Sequence, residues 1–507
     1  MSWLLITLLI VVGFLVFVAI YDVTQRKHAI LRAFPVVGHL RYWLEKIGPE
    51  LRQYIVTDNN EERPFSRDQR RWIYATAKEQ NPYFGFGTDN HIDAPGYLFI
   101  KHSPFPLPPN PHNGHHDAKL PSPKVMGALH NRAHAFRPTS IVNISAMSYG
   151  SLSSAAIQAL NQGAAQADLL HNTGEGGISK FHRNGGKLIF QIGTGYFGCR
   201  NHDGSFSLDI LVETVQSSTV KAIEIKLSQG AKPGLGGVLP GAKVTAQIAE
   251  ARGVPEGETV ESPNHHSAFS DIDSMIDFIE LIAGATGLPV GIKSAIGQVQ
   301  FWDDLASRMV ERGEGPDFIT VDGGEGGTGA APLVFADHVA LPVRFGLSRV
   351  YRTFAKHDLQ RDITFIAAGK AGFPDEALAL MMLGADMIYV AREAMIAIGC
   401  VQAQKCHTGR CPTGVATQNS WLVRGLDAES KGERMSNYAM ALRDDLDRIS
   451  RACGVTHPAL VPFDTIEMNT DGATTVVLSE HFGLDPSTVR LHTSDVAAIS
   501  AESAVTL

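Results

Sequence analysis

Short apolar runs alternate with helical patterns from residue 138 to about residue 391. Each run ends in glycine or a polar residue, and eight of them read as buried strands: 140–147, 168–173, 187–193, 222–227, 289–295, 317–323, 363–369 and 386–391. Between them lie helical patterns over 151–167, 274–286 and 375–385. Continuous apolar strands alternating with helices are typical of parallel sheets covered on both faces. Eight evenly spaced strands predict an α/β fold, a (β/α)8 TIM barrel over residues 138–420. A doubly wound sheet fits the alternation but fits this count less well.

The first residues form a long apolar run without charge. Residues 3–21 span nineteen positions, which as a helix just cross a hydrocarbon core of about 30 Å. A cleaved signal peptide is the rival interpretation, but the basic n-region and small-residue cleavage site that it requires are missing. Arg26, Lys27 and Arg32 follow the run, and the positive-inside tendency then places the rest of the chain in the cytoplasm. We expect a single-pass membrane anchor, residues 1–24, with a cytoplasmic catalytic domain.

Two regions flank the predicted barrel. Residues 25–137 are expected to form an N-terminal subdomain with a helix over 63–80, and residues 421–507 a small C-terminal helical extension. The proline-rich stretch 103–116 suits neither a helix nor a central strand. Its three histidines, His112, His115 and His116, lack a nearby carboxylate or thiolate pattern of metal-ligand spacing, which favours a solvated loop over a metal site.

Composition narrows the class of protein. A hydrophobic content of 44% with 19% charged residues is typical of a globular chain. The net charge of −8 and the lack of a long basic run argue against nucleic-acid binding. Five cysteines, an odd number, do not look like a disulfide framework and favour a reducing compartment.

The barrel prediction brings unusual polar residues together, because barrel active sites lie at the carboxyl ends of the strands. Such residues follow seven of the eight strands in order: Ser145–Ser148, Glu175, Gln191, then Lys226 with Gln229 and Lys232, Lys293, Asp322–Thr328, and Gly369–Gly372. Packing alone does not account for this distribution.

The types of these residues suggest anion binding. Glycines in 322–332 and 367–372 would let backbone N–H groups converge on a phosphate, and the second loop leads into a helix starting near Pro374. Two such loops at these positions favour phosphate binding over ordinary tight turns. Lys293 would stabilise a reduced flavin or, alternatively, reach solvent at the rim. Lys226, Gln229 and Lys232, with Arg252 as a possible clamp, suit a dicarboxylate; solvated surface charge is the alternative.

Three cysteines lie within twelve positions: Cys400, Cys406 and Cys411, the last followed by proline. Soft thiolates in a short irregular loop favour an iron–sulfur cluster, with three iron atoms or with four and an outside ligand. Zinc with His407 as a fourth ligand, and inert buried cysteines, are the alternatives. Cys199 and Cys453 stand alone and are expected to be buried small residues.

Together these stretches resemble the FMN-binding synthase domain of glutamate synthases. The resemblance covers about residues 60–420 and rests on "ISAMSYGSLS" (144–153), "NTGEGG" (172–177), "IEIKLSQGAKPGLGGVLPGAKV" (223–244), "SPNHH" (262–266), "GGEGGTGAAP" (323–332) and "CVQAQKCHTGRCPTGVATQ" (400–418). It implies a barrel that holds FMN beside a [3Fe-4S] cluster and reduces 2-iminoglutarate, formed from 2-oxoglutarate and ammonia, to L-glutamate.

The resemblance also implies roles for individual residues. Cys400, Cys406 and Cys411 would ligate the cluster, and the catalytic and substrate residues would be Lys232, Lys226, Gln229, Glu175 and Arg252. The FMN contacts would be Ser145, Ala146, Met147, Ser148, Gln191, Lys293, Asp322, Gly324, Gly326, Gly327, Thr328, Gly369, Gly372 and Arg392. Electrons would arrive one at a time at the cluster and pass through the flavin to the imine carbon. They would come from an external donor such as ferredoxin or a reductase subunit, because no nucleotide-binding G-x-G-x-x-G follows a strand.

Departures from the family pattern leave the substrate open. Val238 stands where the family has glutamine, and Leu235 stands where a glutamate is common. Ser2 and the apolar run take the place of the cysteine-nucleophile glutaminase domain, so we expect no glutamine hydrolysis. The alternatives are an FMN oxidoreductase or amino-group transferase acting on a related 2-oxo or amino acid, as in methylamine–glutamate synthases, and a non-catalytic redox sensor.

Overall fold

The computed structural model describes residues 3–25, 28–52, 56, 61–81, 85, 87–109, 119–329 and 331–504. Two compact units make up the chain, Met1–Arg70 and Arg71–Leu507. The second unit contains every residue of the predicted site. Arg26, Lys27 and the three histidines His112, His115 and His116 lie outside the described residues.

Thirteen strands occur in the described ranges. They are β1 (Leu98–Ile100), β2 (Val142–Ile144), β3 (Leu170–Asn172), β4 (Lys187–Ile192), β5 (Val220–Lys226), β6 (Val238–Leu239), β7 (Val260–Glu261), β8 (Val290–Ala295), β9 (Phe318–Asp322), β10 (Thr364–Ala368), β11 (Met387–Val390), β12 (Ile466–Asn469) and β13 (Thr475–Val477).

Seventeen α-helices are found in the same ranges. They are α1 (Trp3–Thr24), α2 (Ala29–Ala33), α3 (Gly38–Leu51), α4 (Arg67–Ala77), α5 (Ser154–Ala167), α6 (Leu208–Gln216), α7 (Ala246–Arg252), α8 (Ile272–Thr286), α9 (Gln300–Arg312), α10 (Leu333–His338), α11 (Val343–Lys356), α12 (Pro374–Met382), α13 (Arg392–Ala397), α14 (Ser420–Val423), α15 (Ala428–Ala452), α16 (Leu478–His481) and α17 (Thr493–Ala504).

Eight parallel strands close into a barrel in the order β2-β3-β4-β5-β8-β9-β10-β11, with β11 pairing back to β2. These are the eight strands expected from the sequence, so the TIM-barrel prediction is confirmed. A buried cluster that includes Phe318, Ile366 and Met387 fills the barrel core. The register aligns Lys226 of β5 with Lys293 of β8, which brings both lysines to the same, carboxyl edge.

Local sequence signals set the helix ends around the barrel. Helix α5 starts where the Ser153 side chain accepts the N–H of Ala156, and it ends at Asp168 in the left-handed region. Asp271 caps α8 in the same way, and Gly287 ends it with φ 70°. The predicted helix over 63–80 corresponds to α4.

The C-terminal region packs directly on the barrel unit. Helix α15 lies against α5, where a Cβ at Gly163 would come within 2.6 Å of the Met435 Cβ. The glycine therefore permits this close helix contact. Beyond α15, β12 and β13 form an antiparallel sheet with β1, so residues 421–507 contribute strands as well as helices.

Candidate active site at the mouth of the barrel

Lys226, Glu175 and Gln229 form a connected group where β5 ends. The Lys226 Nζ lies 2.9 Å from Glu175 Oε1 and donates to Gln229 Oε1 at 2.6 Å. Burial raises the pKa of Glu175, but the positive charges of Lys226, Arg252 and Lys232 outweigh it and hold this pKa below its usual value. Glu175 is therefore ionised at neutral pH.

Lys232 and Arg252 complete the group as nearly buried cations. Lys232 is 6% exposed and donates to the Gly236 carbonyl at 3.1 Å. Burial and the charge of Lys226 lower its pKa, and Glu175 offsets this in part. Arg252 donates to the Tyr149 carbonyl and stacks over the Phe197 ring, while its Nε has no hydrogen-bond partner among the described residues. Burying two cations this deeply is unfavourable unless an anion completes the site.

A small pocket opens on Glu175, Lys226 and Gln229. With Lys232 and Arg252, whose charges also act on Glu175, this group holds three cations and one carboxylate, a net formal charge of about +2 that suits a dianion. The lining also includes the backbone of Gly234–Gly237 and the side chains of Thr194, Asn264 and Leu235. The structure thus brings all five predicted substrate residues to one edge of the barrel.

A polar layer inside the barrel lies beneath this edge. Glu224 is fully buried and accepts hydrogen bonds from Asn172 Nδ2 at 2.8 Å, Gln191 Nε2 at 2.6 Å and Thr320 Oγ1 at 2.7 Å. Burial and the charge of Glu224 raise the pKa of Tyr389 well above its usual value. Asn172, Glu224, Thr320 and Tyr389 come from alternate strands of the barrel, as expected for one interior layer.

Lys293 belongs to a buried ion pair. Its Nζ lies 3.4 Å from Asp322 Oδ2, which also accepts the N–H of Gly230 at 2.9 Å. Both charged side chains are almost fully buried, so the interpretation of Lys293 as a rim lysine reaching solvent is wrong. A Cβ at Gly230 would come within 1.8 Å of the Gly323 carbonyl oxygen. The glycine therefore lets the β5 loop and the β9 loop touch.

The predicted phosphate loops are packed against protein groups. A Cβ at Gly372 would meet the Tyr438 hydroxyl at 2.2 Å, and the Gly372 N–H donates to Glu393. The Glu325 carboxylate accepts the N–H of Val343 at the start of α11, and burial raises the pKa of this carboxyl. Arg392 donates to the Glu325 carbonyl, which places a guanidinium beside Gly327.

The start of α12, where the sequence predicts a phosphate site, carries two acidic residues. Asp375 and Glu376 lie in its first turn, and burial together with Glu376 raises the pKa of Asp375 to about 6. Carboxylates at a helix N-terminus compete with an added anion for the positive helix end. The phosphate site at this loop stays a prediction.

The remaining predicted flavin residues line the same edge. Ser145 continues β2 by donating its N–H to the Val390 carbonyl at 2.9 Å, and Ala146 and Met147 are half-buried after it. Ser148 Oγ lies 3.0 Å from Ser151 Oγ. Gly324 and Gly326 are half-buried in the β9 loop, Gly327 and Thr328 are exposed, and half-buried Gly369 ends β10 with φ 144°. These residues fit a flat ligand that covers the strand ends, with the polar layer below it.

The three cysteines share an irregular loop after α13. The Cys400 sulfur accepts the Gln402 N–H at 3.4 Å. Burial raises the pKa of Cys411, but N–H donors of Ala416, Thr413 and Val415 and the Thr413 hydroxyl outweigh it and lower this pKa. Burial and the nearby Cys411 raise the pKa of Cys406.

The three cysteines and the N–H groups that donate to their sulfur atoms suit an iron–sulfur cluster, because such hydrogen bonds stabilise thiolate ligands. No three Cys, His, Asp or Glu side chains in the described ranges are already arranged around a common metal position. His407, the ligand expected in the zinc alternative, is exposed. Of the other two cysteines, Cys199 is buried and Cys453 is half-buried.

Comparisons with known proteins indicate the glutamate synthase family. Residues 117–456 match the model of the conserved region in glutamate synthase. The glutamate synthase large subunit-like protein YerD of Bacillus subtilis is 37% identical over 485 residues, which cover 89% of this chain and 92% of that protein. An archaeal-type glutamate synthase (NADPH) of Thermotoga neapolitana is 36% identical over 62% of this chain and 59% of its own length.

Solved structures match more loosely. A mandelate oxidase with benzoyl-formic acid overlaps 74% of this chain and 87% of its own, with a TM-score of 0.43 and 16% identity. At these values the overlap carries no argument about function.

Proposed function

Because the chain belongs to the glutamate synthase family, we propose that this oxidoreductase reduces 2-iminoglutarate, formed from 2-oxoglutarate and ammonia, to L-glutamate. The proposal includes FMN at the barrel mouth and a [3Fe-4S] cluster on the cysteine loop. Both groups are implied by the family resemblance and supported by the residues present.

One observation carries the substrate assignment: the positive charges of Lys226, Lys232 and Arg252 act on Glu175, which lines a pocket together with Lys226 and Gln229. The net charge of about +2 complements the two carboxylates of 2-oxoglutarate. Arg252, with an unpartnered Nε, offers a bidentate contact that a lysine could not.

The directions of the pKa shifts give Glu175 and Lys232 different roles in proton transfer. Glu175 stays ionised, so it does not act as the acid. Its charge instead holds Lys226 in place and favours a cationic imine nitrogen. Lys232 has a lowered pKa and is the better proton donor at the reacting centre. We assign Lys232 to hold the substrate and supply a proton.

FMN would be held at the strand ends, where Lys293 would contact its ring system and Arg392 and Lys370 would bind its phosphate. When bound there, it supplies the electron pair that reduces the imine carbon. The Gln191 amide is fixed by Glu224, and Lys293 is fixed by Asp322, so these groups would orient the ring without rearranging.

Electrons would enter through the cysteine loop from an external donor. Residues 394–426 contain no Asp or Glu in a chain of net charge −8, and Lys405, Arg410 and Arg424 within this stretch are exposed. A locally basic surface around the cluster ligands supports an acidic one-electron carrier such as ferredoxin as the donor.

We also propose that α1 anchors the chain in a membrane, with the barrel on the cytoplasmic side. This helix is 22 residues long, its most apolar 18-residue window has a mean hydropathy of 3.0, and no residue of that window is buried. A signal sequence has the same length and composition, so the proposal rests on the basic residues that follow the helix.

An FMN oxidoreductase or amino-group transferase acting on a related 2-oxo acid is the second candidate. It is favoured by Leu235, an exposed apolar residue on the lining of the pocket that holds Glu175, Lys226 and Gln229. Leu235 would contact a substrate that carries an apolar group where 2-oxoglutarate carries charge.

The test is turnover by the full-length protein, purified anaerobically in detergent. Given reduced methyl viologen, ammonium and 2-oxoglutarate, it should form glutamate. Lack of glutamate despite bound flavin would exclude the first candidate. Activity with other 2-oxo acids or alkylamines under the same conditions would establish the second.

A further inference from the structure

Helix α3, in the first compact unit, has two chemically different faces. At 100° per residue, Leu40, Trp43, Leu44, Ile47 and Leu51 form one apolar stripe. Leu40 is 56% exposed, Trp43 57%, Leu44 47% and Leu51 39%. An apolar stripe this exposed needs a partner.

The opposite face of α3 is charged. It carries Arg41, Glu45 and Lys46, all exposed, and Arg41 Nε pairs with Glu45 Oε1 at 2.8 Å along the helix. A soluble protein would turn such a face to water and the stripe to its core. In the described part of this unit no core covers the stripe.

A buried carboxylate ties the start of α3 to the end of α1. Asp22, in the last turn of α1, accepts the Val36 N–H at 2.8 Å and contacts the ring nitrogen of His39 at 2.9 Å. Asp22 is fully buried by this contact, and Val36 is held at φ 63°, a costly conformation for a β-branched residue. Helix α3 therefore begins beside the polar end of the apolar helix.

We propose that α3 lies in the membrane–water interface, with its apolar stripe against the lipid and its charged face in water. This rests on α1 being embedded, because the Asp22 contact then holds α3 at the membrane surface. A tryptophan on the stripe and lysine or arginine on the polar face suit the headgroup region of a bilayer. The chain thus contacts the membrane along a second, in-plane helix.

The full chain in lipid nanodiscs tests this, with acyl chains brominated near the headgroup as contact quenchers. The Trp43 contribution is the fluorescence that is lost when Trp43 is replaced, in Trp43→Phe. The Trp3 contribution, which reports on α1, is the fluorescence that is lost in Trp3→Phe. We expect brominated lipid to reduce the Trp43 contribution by about twofold or more, as for an indole buried at the headgroup boundary.

The matched control moves the indole to the charged face of the same helix, in Trp43→Phe/Glu45→Trp. Its added fluorescence should be nearly the same in brominated and ordinary lipid. If the Trp3 contribution is quenched and the Trp43 contribution is not, α1 is embedded and the interfacial placement of α3 is wrong. Equal quenching of both α3 positions overturns it as well, because the helix would then be immersed. If the Trp3 contribution is unquenched, the anchor itself is wrong, and the placement of α3 fails with it.

Discussion

Replacing Lys232 with methionine removes a charge that we propose binds the oxo acid. Lys232 is nearly buried, its one described hydrogen bond goes to the Gly236 carbonyl, and burial with Lys226 lowers its pKa. A lowered lysine pKa means that the folded protein disfavours the charge relative to the unfolded chain. Lys232→Met should therefore keep or raise stability while it weakens binding of the oxo acid.

The size of the binding loss follows from one hydrogen bond to a charged group. Such a bond contributes about 1.5–3 kcal/mol, which corresponds to about a ten- to 150-fold increase in the Kd for 2-oxoglutarate. Lys226→Met removes the 2.9 Å pair with Glu175, whose side chains are 12% and 22% exposed. Because the pair is only partly buried, its loss should cost about 2 kcal/mol of stability in addition to binding.

Flavin absorbance changes on titration with 2-oxoglutarate report the Kd, and thermal unfolding reports stability. Lys221→Met is the matched control, because Lys221 is exposed near the opposite end of the same strand, β5. It should change neither quantity. An unchanged Kd in Lys232→Met, or a loss of stability as large as in Lys226→Met, would refute the assignment.

Three further predictions concern the cluster, pH and packing. Cys406→Ser should lose the iron and its electron paramagnetic resonance signal, whereas Cys453→Ser should keep both; retained iron in Cys406→Ser would contradict the ligand assignment. Burial lowers the pKa of His457 to about 4, and its Nδ1 accepts the Ala459 N–H. The unfolded chain therefore takes up this proton first, and about 3 kcal/mol of stability present above pH 6.5 should be lost as the pH falls to 4. In His457→Gln denaturant unfolding should depend less on pH over this window, and an unchanged pH slope would contradict the reasoning. Gly372→Ala should cost about 1–3 kcal/mol, because its Cβ would meet the Tyr438 hydroxyl. Gly284→Ala, in open space on α8, should instead stabilise by up to about 1 kcal/mol; equal effects in thermal melts would rule out the steric cause.

The barrel could be predicted because its strands are buried on both faces. Runs such as Lys187–Ile192 and Thr364–Ala368 are almost continuously apolar and end in a glycine or at a predicted site residue. The substrate residues could be predicted once the barrel was, because the carboxyl ends of its parallel strands lie at one edge. The positions of Glu175, Lys226 and Lys232 just after predicted strands were enough to predict that they lie close together.

The polar layer around Glu224 could not be predicted from the sequence. Glu224 is flanked by Ile223 and Ile225, and in a strand covered on both faces the sequence does not tell which face is the barrel interior. Its partners Asn172 and Thr320 lie on other strands and meet it only once the barrel closes. An acidic residue between two isoleucines of a buried strand was the signal available.

The phosphate loop is a prediction that the sequence itself qualifies. Glycines and a helix start suggest an anion site at α12, but a helix end attracts an anion best when no other negative group lies beside it. Asp375 and Glu376 in the first turn are visible in the sequence and weigh against a phosphate there. The role of Glu325 at α11 could not have been foreseen, because a long loop brings it to Val343.

We expect the charged group of Lys226, Lys232, Arg252 and Glu175 to bring an oxo-acid imine to a flavin bound at the strand ends. This can be measured by reducing the anaerobic full-length protein and mixing it with 2-oxoglutarate and ammonium while flavin absorbance is followed. The oxidised flavin spectrum should return only when both substrates are present, with about one glutamate formed per flavin. A flavin-loaded protein that stays reduced under these conditions, with each of the 2-oxo acids tried, would show that this group does not deliver a substrate to the flavin.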